Sequence, residues 1–345
     1  MQTIMQQEAE STWLKVNNQL EQNESLIEEI STIIKSRNIK RVITIARGSS
    51  DCVANFSKYL FESQLGLMVA SLPPSIATLY NKNIGDEQTL AISISQSGGS
   101  PDLKKALENC KNAGCLTLAI VNNEKSPLAK VADMVLPIRA DEENAVAATK
   151  SFITSLTALV SLIAELGQDS ILKEELSKLP SNLKKVVDEG CWSNLASAIK
   201  EHKSMFVIGR GFGYPIAQEM ALKFKETCGI HAEAFSGAEV LHGPFALMND
   251  DFVSLSIAQS DKSLQGTQDV VSKMTELGVK TIFISNKKDE SVNAFLKAET
   301  NIDTHSILEP IVLIQKFYLM INRLALDLGY NPDSPTNLKK VTQTV

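Results

Sequence analysis

Thr89-Leu90-Ala91-Ile92-Ser93-Ile94-Ser95-Gln96-Ser97-Gly98-Gly99-Ser100-Pro101-Asp102 decides how the chain folds. Thr89–Ser95 carries no charge and reads as a strand. Gln96 to Gly99 is a polar, glycine-rich break. Ser100 then fits a helix N-cap and Pro101 the first helical position. A strand that feeds a helix through a tight loop is the repeating unit of a parallel sheet covered by helices.

The same alternation extends in both directions. Candidate strands are Arg41–Ala46, Leu67–Leu72, Leu116–Val121 and Met134–Ile138, with helices near 51–64, 101–113 and 145–166. Residues 5–36, free of Gly and Pro, read as one helix. Residues 170–201 read as a helical linker in which Pro180 marks a break. The alternation then restarts, with strands near Ser204–Gly209, Phe252–Ala258 and Lys280–Ser285 and helices near 214–228, 264–277 and 307–328. Arg47-Gly48 recurs as Arg210-Gly211 and Gln96-Ser97 as Gln259-Ser260, both at an offset of 163; Asn122 recurs as Asn286 at 164. Each pair follows a strand, so the spacing predicts an internal duplication. The expected organisation is an N-terminal helix over 1–38, two α/β halves over 39–168 and 202–329, a linker over 169–201 and a tail over 330–345.

Composition limits the function classes. With 345 residues, 43% hydrophobic, the chain can bury two cores. The net charge of −6 with no basic stripe argues against a nucleic-acid binder. The longest apolar stretch, Phe152 to Leu166, falls short of the roughly 18 residues that a membrane span needs. Residues 1–10 lack a signal-peptide pattern. Five scattered cysteines with no CxxC indicate neither a disulfide framework nor a cysteine zinc site. A cytosolic protein is the expectation.

In open parallel sheets, ligands bind beyond the carboxyl ends of the strands. Ala46-Arg47-Gly48-Ser49-Ser50-Asp51 and the Ser93–Asp102 segment follow two such ends. Hydroxyls, glycines and helix N-termini there make either an anion pocket suited to a phosphate or a turn that only caps a helix. Neither is a P-loop, and no G-x-G-x-x-G supports a nicotinamide cofactor. In the second half, Lys223 and Glu226 share a helix face. A carboxylate beside an ammonium remains ionised and can act as a base; a plain ion pair is the other reading. His242, before Gly243-Pro244, can present its ring to a cleft for proton transfer. His231, Glu233, Glu239 and His242 hold zinc only if they converge, which their spacing makes hard; no metal is expected. The loop 141–150 leads into a helix start. The tail from Asn331 either frays or folds over a cleft and carries Lys339 or Lys340 into it.

These residues together resemble the sugar isomerase (SIS) family, and more narrowly the isomerase half of glucosamine-6-phosphate synthase and its stand-alone relatives. The resemblance runs from about Gln7 to Val345. It is carried by Ser95-Gln96-Ser97-Gly98, Val146-Ala147-Ala148-Thr149-Lys150-Ser151-Phe152, Lys223 through Pro244, and Pro335-Thr336-Asn337-Leu338-Lys339-Lys340. It implies two tandem SIS domains, each an αβα sandwich on a mostly parallel sheet, and a homodimer with shared active sites. It implies that Ser50, Ser95, Gln96, Ser97 and Ser100 hold the sugar phosphate, and that Gly48, Ser49, Val146, Ala148 and Lys339 line the sugar. Glu226 matches the family's base, Lys223 the lysine beside it, His242 the ring-opening histidine supplied by a neighbouring subunit, and Lys340 the C-terminal lysine that reaches the open-chain sugar.

Three departures refine the expectation. The chain does not open on the synthase's glutaminase domain, so it is not expected to draw ammonia from glutamine. Gly99-Ser100-Pro101-Asp102 replaces the synthase's Glu-Thr-Ala-Asp and looks more like stand-alone deaminases and deglycases. Ala148 stands where the synthase has a sugar-contacting serine. The expected activity is an SIS-type glucosamine-6-phosphate deaminase that needs no cofactor. The alternatives are a galactosamine-6-phosphate deaminase, a deglycase of a 6-phosphorylated fructosamine, and a non-catalytic sugar-phosphate sensor.

Overall fold

The computed structural model describes residues 2–340. Met1 of the expected first helix and residues 341–345 of the expected tail lie outside the described residues. The chain begins with α1 (Ile4–Glu10) and α2 (Thr12–Ser36) in place of one continuous helix. At the break, the Ser11 hydroxyl donates to the Glu8 carbonyl at 2.9 Å. A local hydroxyl bond of this kind competes with the helix ladder and leaves no gap in an apolar pattern.

The chain then runs β1 (Arg41–Ile45), α3 (Ser49–Leu65), β2 (Met68–Ser71), α4 (Ser75–Thr78), β3 (Thr89–Ser95), α5 (Pro101–Asn112), β4 (Leu116–Val121), β5 (Met134–Pro137) and α6 (Lys150–Gly167). After α7 (Ser170–Glu189) and α8 (Ser193–Ile199) come β6 (Ser204–Gly209), α9 (Gly213–Cys228), β7 (His231–Ser236), β8 (Val253–Ile257), α10 (Leu264–Glu276), β9 (Lys280–Ser285), β10 (Leu296–Glu299) and α11 (Glu309–Asp327).

These elements form two compact units. The β1–β5 unit holds residues 12–143, 150–178 and the described end of the chain, 339–340. The β6–β10 unit holds residues 2–11, 144–149 and 179–338.

The β1–β5 unit is built on a parallel sheet of order β2-β1-β3-β4-β5. β3 and β4 are buried along their whole length, which is why their boundaries are legible as uncharged runs. On one face, Leu103, Leu107 and Cys110 of α5 meet Ile43, Ala91 and Ala119 of the sheet. The helices α2 and α3 both pack on α6. Gln19 of α2 donates to the carbonyls of Ile138 and Thr154 at 2.8 Å, and Asn23 to that of Pro137 at 2.7 Å. α6 spans 18 residues at mean hydropathy 1.3, long and apolar enough to cross a membrane by those measures, where the sequence suggested a shorter stretch. Most of it, 78%, is buried inside the protein, so its apolar surface is used in packing.

The β6–β10 unit repeats the arrangement, with a parallel sheet of order β10-β9-β8-β6-β7. Phe206 meets Phe235 and Phe252 edge-on at 4.8 Å each, and Phe224 of α9 meets Phe317 of α11 at 5.3 Å. The edge strands β7 and β10 have no counterpart in the sequence reading. β7 alternates exposed His231 and Glu233 with buried Ala232, and both strands pair on one side only.

Two further expectations are corrected. Pro180 lies inside α7 and does not break it. Leu172, Leu176, Leu179, Leu183 and Val186 form a buried stripe through it. Burying five such side chains at about 1.5–3 kcal/mol each outweighs the roughly 3 kcal/mol that an internal proline costs. The helix expected over 145–166 starts only at Lys150. Before it, the N–H groups of Asn144 and Ala145 donate to the Glu8 carboxylate at 2.5 and 3.3 Å, and that of Val146 to the Asp333 carbonyl at 3.1 Å. Partners outside the segment replace the helical ones.

Candidate functional site

In the β1–β5 unit, the chain leaves β1 toward one edge of the sheet and β3 toward the other. The loops after these two strands therefore diverge at a topological switch point, where such sheets bind ligands. β1 and β3 are neighbours, with Ile45 opposite Ser93.

The loop after β1 turns at Gly48, whose φ of +56° suits glycine. Asp51 and Cys52 donate to the Gly48 carbonyl, which places Ser49 and Ser50 in the first helical turn, where backbone N–H groups point outward without helical acceptors. Burial raises the Asp51 carboxyl pKa, against the lowering effect of Arg47.

The loop after β3 is folded by its own hydroxyls. Ser95 Oγ accepts from Gly98 N–H at 3.1 Å and Ser97 Oγ from Gly99 N–H at 3.2 Å. Gly98 has φ +62°, and a Cβ there would lie 2.2 Å from Ser126 Oγ. Ser100 occupies the N-cap of α5, yet its hydroxyl makes no capping hydrogen bond. The cap reading therefore does not account for that hydroxyl. Buried Asp102 braces the two loops: its Oδ2 accepts from Arg47 Nε and Nη2, both at 3.1 Å.

The duplicated loops of the β6–β10 unit are filled from within. Gln259 Nε2 donates to the Arg210 carbonyl at 2.6 Å and to Ser263 Oγ at 2.9 Å. Asp261, at the position of Gly98, accepts from Ser263 N–H at 2.7 Å. The Ser260 N–H donates to Glu309 Oε2 at 2.6 Å. Carboxylates of the chain thus take donors that an anion would otherwise use, and burial raises the Glu309 pKa. This difference separates the two copies chemically.

The ionisable residues of the β6–β10 unit sit on α9. Glu219, Lys223 and Glu226 follow at i, i+4 and i+7 and so form one stripe. Lys223 Nζ lies 2.5 Å from Glu226 Oε2 and 3.3 Å from Glu219 Oε1. Glu219 Oε1 also accepts from Tyr318 Oη at 3.0 Å. Burial by itself would lower the Lys223 pKa, but the carboxylates of Glu219 and Glu226 outweigh it and the pKa rises. The ammonium therefore stays charged at neutral pH. The side chain of Glu226 is 22% exposed and that of Glu219 0%, so Glu226 is the carboxylate a small molecule can reach. Sequence reading missed Glu219 and Tyr318; the i−4 spacing of Glu219 from Lys223 was the available signal.

His242 is exposed and follows the single turn Glu239–Leu241, with Gly243 at φ +118° after it. His231 and Glu233 are exposed on one face of β7. No three His, Cys, Asp or Glu side chains among the described residues are arranged to hold a metal ion.

Val146 and Ala148 are half-buried in the β6–β10 unit. Lys339 is exposed and Lys340 half-buried in the β1–β5 unit. Lys340 Nζ is 3.0 Å from Glu143 Oε2. Glu143 itself accepts from the N–H and hydroxyl of Ser151, at 3.1 and 2.6 Å.

The duplicated sheet pattern agrees with the comparisons with known proteins. The family model of the SIS domain matches residues 35–165 and 198–326. Glutamine–fructose-6-phosphate aminotransferase (isomerizing) of Methanothermobacter thermautotrophicus is 32% identical over 322 residues, covering 91% of this chain and 53% of that protein. The chain thus spans about half the length of the curated relatives it matches. A proposed phosphosugar isomerase from Silicibacter pomeroyi DSS-3 is 34% identical, with TM-score 0.89, covering 96% of this chain and all of that one. The C-terminal domain of glucosamine-fructose-6-phosphate aminotransferase from Francisella tularensis is 25% identical, with TM-score 0.86, covering 97% and 99%. With two matched segments that together exceed half of its length, each on one of the two parallel sheets, the chain belongs to the SIS domain family.

Proposed function

We propose that the protein is a phosphosugar aldose–ketose isomerase specialised as a glucosamine-6-phosphate deaminase. The observation that carries this reading is the accessible Glu226 carboxylate held against the fully buried Lys223 ammonium. The names of the relatives, aminotransferases of the isomerizing type and a phosphosugar isomerase, support the general reaction. The Gly99-Ser100-Pro101 loop, with a hydroxyl not spent on capping, supports the specialised one.

In this reading, Ser50, Ser95, Gln96, Ser97, Ser100 and the adjoining N–H groups take the phosphate. Gly48, Ser49, Val146, Ala148 and Lys339 contact the sugar. His242, from the neighbouring subunit of a homodimer, moves a proton to open the pyranose ring. Glu226 removes the C2 proton of the open aldose, giving a 1,2-enolamine, and returns a proton to C1. The product is a 2-imino ketose phosphate; water adds at C2, ammonia leaves, and fructose 6-phosphate remains. Lys223 keeps the base oriented, and Lys340 meets the open chain. Phosphate binding fixes the orientation of the reacting carbons and so supplies part of the rate.

The test is ammonia and ketose formation from glucosamine 6-phosphate, galactosamine 6-phosphate and fructoselysine 6-phosphate in parallel. Ammonia and fructose 6-phosphate from the first is the expected outcome. Turnover of only the second or third moves the assignment to the corresponding deaminase or deglycase. Binding of all three without turnover identifies a sensor.

A further inference from the structure

From the contacts around Glu143 we infer that this residue positions the C-terminal lysine, and the inference rests on the reading of Lys340 as the lysine that meets the open-chain sugar. The Glu143 side chain is 0% exposed. A carboxylate so buried needs charge or hydrogen-bond partners. It has two kinds. Ser151 supplies its N–H and hydroxyl at the first turn of α6, where the helix dipole favours negative charge. Lys340 supplies an ammonium 3.0 Å from Oε2. Glu143 thus joins a rigid, buried helix start to the last described residue of the chain.

Residues 338–340 form neither helix nor strand. The backbone there does not fix where the lysine side chain goes, so side-chain contacts must. A long lysine loses rotamer freedom when held; a fully buried carboxylate already fixed by Ser151 offers a preorganised holder. The contact brings Lys340 onto the β1–β5 unit, which also carries the serine loops. Glu143 touches no reacting atom in this account. It acts through Lys340 by setting the position from which the ammonium meets substrate.

The test is a double-mutant cycle with two readouts on the full chain. Wild type, Glu143→Gln, Lys340→Ala and the double variant are compared for glucosamine-6-phosphate turnover. The native proteins that keep Lys340, wild type and Glu143→Gln, are compared for tryptic cleavage after that residue by mass spectrometry. Glu143→Gln is expected to lower kcat about tenfold, with KM within about threefold, and to add nothing in the Lys340→Ala background, because the two residues act as one unit. Cleavage after Lys340 is expected to speed up severalfold in Glu143→Gln. Equal losses with and without Lys340, or wild-type cleavage in Glu143→Gln, overturn the inference. If Lys340→Ala turns over like wild type, or no variant turns over, the functional reading of Lys340 fails while the cleavage comparison still decides the anchor. If Glu143→Gln does not fold, Lys340→Gln releases the same contact from the exposed side: faster cleavage after Lys339 supports the anchor and an unchanged rate overturns it.

Discussion

Lys223 is fully buried on α9 and shared between two carboxylates of the same helix face, Glu226 at 2.5 Å and Glu219 at 3.3 Å. Removing its charge leaves two carboxylates without their cation. Lys223→Met is expected to cost about 3–5 kcal/mol of stability, as the loss of one partner of a buried pair does, and to abolish turnover. The pH dependence follows from the raised Lys223 pKa. A cation whose folded pKa lies above its unfolded value of 10.5 contributes its full stabilisation below that value and loses it as pH rises through the folded one. Denaturant unfolding should therefore show a constant margin of wild type over Lys223→Met between pH 7 and about 10, shrinking only at more alkaline pH.

Ser100 separates capping from binding. An N-cap serine is usually worth about 1 kcal/mol, but the Ser100 hydroxyl makes no cap bond. Ser100→Ala should change unfolding free energy by less than about 0.5 kcal/mol and raise KM for a phosphorylated amino sugar severalfold. A stability loss of the usual size with unchanged KM would return this serine to a purely structural role.

Gly98 is required by its backbone and by Ser126. The left-handed φ of +62° costs a non-glycine residue about 1–2 kcal/mol, and an added Cβ would meet Ser126 Oγ at 2.2 Å. Gly98→Ala should lower Tm and weaken phosphate binding together, since the same turn shapes the loop. Thermal unfolding with and without inorganic phosphate measures both.

Four of the five cysteines are buried and Cys191 is half-buried. Burial pushes the Cys228 thiol up to about 12, against a smaller lowering by the Thr227 hydroxyl. Native protein at pH 8 should show one fast-reacting thiol, lost in Cys191→Ser, and five after denaturation. Rapid native labelling of Cys228 would contradict the packing of α9.

Fold and site were legible to different depths, for physical reasons. The central strands β3, β4, β6 and β9 match the sequence reading to the residue because burial leaves them as apolar and hydroxyl runs, the one charge being the exposed Lys280 that opens β9. β7 escaped because an edge strand can carry His231 and Glu233 outward. The start of α6 was misplaced because the acceptor for Asn144 N–H is Glu8, 136 residues away. The serine loops and the Lys223–Glu226 pair were legible because each is local. Glu143 beneath Lys340 was not, since 197 residues separate them, nor was the Tyr318 hydroxyl on Glu219, across 99.

The central claim is that Glu226 moves a proton from C2 to C1 of a phosphorylated amino sugar. Turnover of glucosamine 6-phosphate in deuterium oxide, followed by proton NMR, tests it most directly. Loss of the C2 proton signal, ammonia release and fructose 6-phosphate bearing deuterium at C1, all absent in Glu226→Gln, is the predicted result. Retention of the C2 proton by the wild type, or undiminished exchange in Glu226→Gln, would contradict it.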